Sequence, residues 1–90
     1  MPRKRLVEKL REDLEDEKGL FLVVYDFALG SGTRIPTRFY LNLKTLDVVH
    51  LQKSVILCEN KRDALTVARL VRHYGGEARI FSVKKEVNFQ

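Results

Sequence analysis

The sequence predicts an α/β protein, an α+β sandwich in which helices cover one sheet, and two observations support this class. Segments with the spacing of strands alternate along the chain with segments that have the spacing of helices. The 90 residues, 44% of them apolar and 32% charged, are also typical of one globular domain with one core. We therefore expect residues 1–90 to form a single domain.

The first predicted element is a helix over residues 2–17, which extends the core at its N-terminus. Pro2 suits a first helical turn, and Gly19 is placed to end the helix. The basic "RKR" lies at the positive end of the helix dipole and the acidic "EDLEDE" at the negative end, so both ends are unfavourable. We expect frayed ends and a docked middle turn, whose apolar face carries Leu6, Val7, Leu10 and Leu14.

Residues 20–27, "LFLVVYDF", follow as a strand. The almost continuous apolar run predicts a central strand that is covered on both faces. A second helix begins near Pro36 and is over by Asp47. Its predicted buried face consists of Ile35, Phe39, Leu43 and Leu46.

The extended segment 48–58 contains an imperfect alternation, which predicts a bend near Lys53 and Ser54 that splits it into two strands. Asn60 then caps a third helix, with Asp63 in its first turn and the glycines at 75–76 at its end. The predicted buried face of this helix consists of Ala64, Val67, Ala68, Val71 and Tyr74.

The last core strand is "ARIFSV", residues 78–83, and residues 84–90 form a short edge strand or a tail. After the first helix the order is therefore β-α-β-β-α-β, for which a ferredoxin-like core over residues 20–83 is the economical solution. Both core helices then cover one face of the sheet. The other face must then be covered by the N-terminal helix or by a second copy of the chain.

Charge is unevenly distributed along the chain, which carries a net charge of +5. Residues 1–18 sum to zero, residues 19–59 to +1 and residues 60–90 to +4, which favours a phosphate-bearing partner over the C-terminal third. No apolar run is long enough to cross a membrane, and no secretion signal precedes the first helix. The single Cys58 excludes an internal disulfide, so we expect a cytoplasmic protein.

Several stretches together resemble a known family. They are "LVVYDF" with Tyr25 and Asp26 at its end, "HLQKSVI" with Gln52, Ser54 and Val55, and "ARIFSV". In this order, over residues 20–83, the chain resembles the small CRISPR-associated protein that pairs with the integrase during spacer acquisition in antiviral defence. A toxin family of mRNA-cutting proteins shares the fold.

The resemblance implies a homodimer in which the Asp26 carboxylates of two copies face each other and bind Mg²⁺. One aspartate alone is a poor magnesium site, because hard cations take several oxygen ligands. A shared ion would polarise a phosphate and activate a bound water for phosphodiester hydrolysis. Alternatively, Asp26 accepts hydrogen bonds from the amides of the loop that follows it.

Nucleic-acid binding is assigned to arginines, whose guanidinium groups make paired hydrogen bonds to phosphate. Such contacts position a duplex without reading its sequence, and the aromatic residues are predicted to be buried, so duplex binding fits better than single-strand binding. Alternatively, each of these arginines belongs to a solvated helix face and binds no phosphate. The candidates are Arg34, Arg38, Arg62, Arg69 and Arg72.

Three functions follow from these residues. The first is a metal-dependent endonuclease with Asp26 as the catalytic residue. The second is a non-catalytic dimeric adaptor for nucleic acid and a partner such as the integrase. The third is a plain interaction or regulatory module whose fold only resembles that of the family. The N-terminal helix suggests it, because that helix could cover the sheet face through which the family pairs.

Overall fold

A computed structural model of the chain describes residues 6–27 and 35–88. Within these ranges it contains three helices and four strands. In chain order they are α1 (Leu6–Arg11), β1 (Lys18–Phe27), α2 (Thr37–Leu43), β2 (Val49–Gln52), β3 (Val55–Asn60), α3 (Lys61–His73) and β4 (Gly76–Val83).

The four strands form one antiparallel sheet in the order β2-β3-β1-β4. Strands β1 and β3 are central. Helix α2 connects β1 to β2, which lie on either side of β3, and α3 connects β3 to β4, which lie on either side of β1. The domain is thus a small α+β fold with helices on one side of a four-stranded sheet, which confirms the predicted class.

The core lies between this sheet and the helices. Along β1 every second side chain, from Phe21 to Phe27, is buried beneath α2 and α3, as the two-residue period of a strand requires. Phe39 of α2 is fully buried, and its ring centroid lies 5.4 Å from that of Tyr25 and 5.1 Å from that of Phe27. The largest side chains of β3 and α3 on this face are Ile56, Val67, Leu70 and Val71.

The opposite side of the sheet is called here the open face, because no described element covers it. The cross-strand pairs place apolar side chains of all four strands on it, and Val24 is 38% exposed. Over the described residues of one copy, β1 is therefore covered on one face, and the second cover that the sequence predicts is absent. The apolar residues of the open face are Leu20, Leu22, Val24, Val49, Leu51, Val55, Leu57, Phe81 and Val83.

Helix α1 is shorter than the predicted helix over 2–17, since it ends at Arg11, and residues 1–5 lie outside the described residues. The ending agrees with the expected fraying, because the carboxylates that follow Arg11 repel the negative end of the helix dipole. The buried Val7 docks α1 against α3, on the helix side of the molecule. The alternative in which the N-terminal helix covers the open face is therefore wrong.

Two local predictions are confirmed. Residues 53 and 54 form a turn between β2 and β3, and the β2–β3 register shifts between His50 and Gln52. The Asn60 side chain accepts a 2.7 Å hydrogen bond from the Asp63 amide, which caps α3.

Helix α3 is buried over a wider arc than its sequence pattern predicts. Ala64, Val67 and Val71 are fully buried as expected, whereas Ala68 and Tyr74 are only half-buried. The arc widens because α1 packs on one flank of α3 and contacts Asp63 there. This flank adds Asp63, Thr66 and Leu70 to the buried set.

The chain after Val83 has no regular structure over residues 84–88, so the short edge strand predicted there is absent from the described residues. This segment is a tail. Lys85 and Glu86 lie beside the apolar side chains of the open face, and Val87 is largely exposed.

Candidate metal site and nucleic-acid interface

Asp26 lies on the open face near the end of β1, and its side chain is exposed. Its neighbours Tyr25 and Phe27 point to the opposite side, into the core, because successive strand residues alternate. The loop that follows, residues 28–34, lies outside the described residues, and so do its amides and Arg34. The alternative role of Asp26 as a partner of that loop therefore stays a prediction.

A second carboxylate stands directly across from Asp26. In the antiparallel β1–β4 ladder Asp26 pairs with Glu77, and Val24 pairs with Arg79. Side chains of such pairs share a face, with Cβ atoms typically about 5 Å apart. Two carboxylates opposite each other repel, so this end of the open face favours a cation. It forms a shallow cavity of about 150 Å³ lined by Val24, Tyr25, Asp26, Glu77, Ala78 and Arg79.

The predicted strand began at residue 78 and so left out Glu77, whereas Arg79 lay within it but was assigned no role. The strand begins instead at Gly76, which has its partner in Phe27. A Cβ at Gly76 would lie 2.7 Å from Val71 Cγ1 and 2.9 Å from the Asp26 carbonyl oxygen. Only glycine permits this close approach of helix end and strand. The same contact fixes the backbone beside Asp26.

Tyr25 binds the β2–β3 turn on the helix side of the sheet. Its hydroxyl donates a 2.9 Å hydrogen bond to the Lys53 carbonyl oxygen and lies 3.2 Å from His50 Nε2. Burial, with a smaller contribution from Tyr40, raises the pKa of Tyr25 to about 12. Of the Tyr-Asp pair, the tyrosine therefore stabilises the turn, and the aspartate alone faces solvent.

Of the four predicted phosphate contacts that lie within the described residues, Arg38 and Arg72 are exposed. Arg72 lies in the last turn of α3, next to β4, and borders a cavity of about 280 Å³ that Glu77 and Arg79 also line. It therefore lies at the same end of the sheet as Asp26. Arg38 lies in the first turn of α2, on the helix layer.

Arg62 and Arg69 are less accessible than predicted. Arg62 is half-buried near the first turn of α3, at the far end of the helix from Arg72, and its buried Nε has no hydrogen-bond partner within the described part of the chain. Arg69 Nη1 donates to Asp13 Oδ1 at 2.7 Å and to the Leu10 carbonyl oxygen at 2.9 Å. The structure thus brings Arg72 to the Asp26 end, leaves Arg62 away from it and engages Arg69 elsewhere.

Among the described residues, Phe81 contradicts the prediction that the aromatic side chains are buried. Phe81 is 49% exposed on the open face, where it pairs across the ladder with Leu22. The alternation along "ARIFSV" could have predicted this exposure, since it puts Phe81 on the same face as Arg79. Phe81 therefore continues the apolar surface from the Asp26 end along β4.

As possible metal ligands, Asp26 and Glu77 supply two carboxylates per chain. Magnesium keeps several of its waters in proteins, so a pair of carboxylates is a minimal set and two such pairs are a better one. Over residues 6–27 and 35–88, no group of three or more His, Cys, Asp and Glu side chains is arranged to hold a metal ion.

No family model, curated protein or solved structure matches the chain. Among the described helices, none has both the length and the apolar character needed to cross a membrane.

Proposed function

We propose that the chain is a homodimeric, ferredoxin-like protein that binds nucleic-acid backbone, as the CRISPR adaptation family does, and that Mg²⁺ held at Asp26 supports phosphodiester hydrolysis. The observation that carries the proposal is the position of Asp26. It is exposed at the end of an uncovered apolar sheet face, opposite Glu77 and beside Arg79.

The strand order supports the ferredoxin-like assignment. In that fold two β-α-β units interlock, so that each helix connects strands with one strand of the other unit between them. Here β1-α2-β2 encloses β3, and β3-α3-β4 encloses β1. The N-terminal helix is an addition outside this pattern.

The open face supports the homodimer. Apolar side chains of four strands form a contiguous surface, and a surface of this kind typically marks a protein contact. In a two-fold pairing the same patch serves both copies, so the charges at its edge must be self-complementary. Arg79 beside Asp26 and Glu77 meets this condition, because each copy presents both signs.

The chemistry follows from that pairing. In the proposed dimer, the Asp26 and Glu77 side chains of both copies would be the oxygen ligands of a Mg²⁺ ion. When bound, the ion would polarise a phosphate and activate a water for hydrolysis. Arg72 of each copy would then hold a flanking phosphate by charge-assisted hydrogen bonds.

The test is cleavage of duplex DNA and of RNA with and without Mg²⁺. Asp26→Ala should lower a Mg²⁺-dependent rate at least about 100-fold, the size of effect expected when a group that stabilises transition-state charge is removed. Glu77→Gln should lower it less. Asp47→Ala, which removes an exposed carboxylate between α2 and β2, is the matched control and should leave the rate unchanged.

Cleavage that survives Asp26→Ala would show that Asp26 is not catalytic. The preferred substrate separates the two family resemblances, since DNA cleavage favours the adaptation family and RNA cleavage the mRNA-cutting toxins.

The open face also favours a second candidate, a non-catalytic adaptor in which the dimer holds nucleic acid against a partner protein such as the integrase. It predicts duplex binding that weakens steeply with salt, and no cleavage with any metal. A monomer without nucleic-acid affinity would instead support the plain interaction module.

A further inference from the structure

The residues 6–17, called here the N-terminal segment, lie along α3 and pair with its charged side chains. Arg11 Nη2 donates to Asp63 Oδ1 at 2.9 Å, and the Lys61 amide donates to the Glu17 carbonyl oxygen at 2.7 Å. Lys61 Nζ also lies 3.5 Å from Glu17 Oε2. The contacts extend from the first turn of α3 to Arg69, eight residues and about 12 Å further along the helix.

The contact at Arg69 occupies the part of the side chain that would bind a phosphate. Both N–H groups of Nη1 are engaged, one by Asp13 Oδ1 and one by the Leu10 carbonyl oxygen, and Nη2 lies 3.4 Å from Asp13 Oδ2. A carboxylate in this paired geometry makes the same hydrogen bonds as a phosphate. The hydrogen bond from Arg69 also lowers the pKa of Asp13, which keeps the carboxylate ionised.

The charge of the N-terminal segment has the same sign as a nucleic-acid backbone. Residues 12–17, "EDLEDE", carry five carboxylates and no basic side chain. Asp13, Glu15, Asp16 and Glu17 are exposed along the flank of α3. A phosphate approaching this flank meets repulsion as well as an arginine that is already paired.

Most side chains of the segment are exposed or half-buried. Over residues 6–17, Val7 is the one side chain that is buried. The Arg69–Asp13 pair is open to solvent on both sides, with side chains 41% and 70% exposed. Segments with so few buried contacts open at a free-energy cost well below that of global unfolding.

We propose that the N-terminal segment is an internal competitor for nucleic acid, which binds the α3 flank only when Asp13 leaves Arg69. The inference rests on the proposed function, because Arg69 lies three residues before Arg72 on α3 and would extend the phosphate-binding surface that Arg72 provides. In the closed state Arg69 contributes nothing to backbone affinity. In the open state it adds a phosphate contact, and the acidic residues move away from the nucleic acid.

The experiment compares full-length variants in binding to a fluorescent DNA duplex at low salt. Asp13→Asn frees Arg69. Asp16→Asn removes an equal charge from the same segment but leaves the Arg69–Asp13 contact in place. Asp13→Asn should raise the affinity about two- to five-fold over Asp16→Asn, the factor by which an exposed ion pair shifts an equilibrium. Arg69→Gln alone supplies the reference for the double variant, because it removes the same guanidinium group from the otherwise unaltered chain.

The double variant Asp13→Asn with Arg69→Gln completes the cycle and should lose the gain of Asp13→Asn. Equal affinities for Asp13→Asn and Asp16→Asn, or a gain that persists in the double variant, would overturn the competition while leaving nucleic-acid binding intact. If none of the proteins binds duplex, the proposed function and the inference both fail.

Discussion

At the scale of single residues, Cys58 and Tyr25 are the buried ionisable groups that the fold holds in their neutral forms. Burial raises the pKa of Cys58 to about 12 from an ordinary value of 9.0, with a smaller contribution from the negative charge of Asp63. Cys58 is fully buried on β3, under α3. Its thiol is therefore a packing group, and thiolate chemistry is suppressed at neutral pH.

The raised pKa of Cys58 predicts how stability depends on alkaline pH. A folded-state pKa above the unfolded value contributes stability that is complete below pH 9 and is lost as the pH rises toward 12. Urea unfolding between pH 7 and 11 should show a falling free energy of unfolding, and Cys58→Ala should make that fall shallower above pH 9. Tyr25→Phe should affect only the part above pH 10. If the free energy of unfolding falls equally with pH in the unaltered protein, Cys58→Ala and Tyr25→Phe, these two groups do not cause the pH dependence.

The candidate site was predictable from the sequence only where one strand determines it. Alternation along β1 places Asp26 on the face opposite Tyr25, and this can be derived from eight consecutive residues. Glu77 could not be found in this way, because its position depends on the register between strands about fifty residues apart in sequence. The pairing of Arg69 with Asp13 likewise depends on where α1 docks, which local pattern does not determine.

At the scale of elements, the start of α3 is stabilised by a reciprocal cap. Asn60 Oδ1 accepts from the Asp63 amide, and Asn60 Nδ2 donates to Asp63 Oδ2 at 3.0 Å. Asn60→Ala should lower the free energy of unfolding by about 1 kcal/mol, the usual cost of removing an N-cap. Asn60→Ser keeps an acceptor for the amide and is the control, with most of the stability retained. Chemical denaturation measures both, and equal losses would show that the cap contributes little.

Most elements were predictable because their signals are local. A proline opens α2, an asparagine caps α3, glycines follow α3, and a turn at residues 53–54 separates β2 from β3. The prediction for α1 was too long because its apolar spacing continues to Leu14, whereas the charges after Arg11 oppose the helix. Leu14 is only half-buried, so it offers little apolar burial to offset that repulsion.

At the scale of the whole molecule, the two sides of the sheet differ in what covers them. All three helices pack on one side, including α1, which joins the helix layer through α3. The apolar residues of the other side are too many to be explained by scattered surface hydrophobics. Within the described residues, a single copy therefore leaves its second sheet face uncovered, and in the proposed homodimer a second copy would cover it with the same residues.

This pairing predicts a dimer in solution that one substitution on the open face disrupts. Sedimentation should give twice the chain mass of 10.5 kDa for the unaltered protein and the chain mass for Phe81→Glu. A buried phenylalanine contributes about 1.5–3 kcal/mol and an unpaired carboxylate in its place costs more, so the dimer should weaken at least about 100-fold. Leu41→Glu makes a similar change at a side chain 56% exposed on α2, away from the open face, and should leave the dimer intact. A dimer that survives Phe81→Glu but not Leu41→Glu would place the contact on the helix layer, and then the two Asp26 carboxylates could not share an ion.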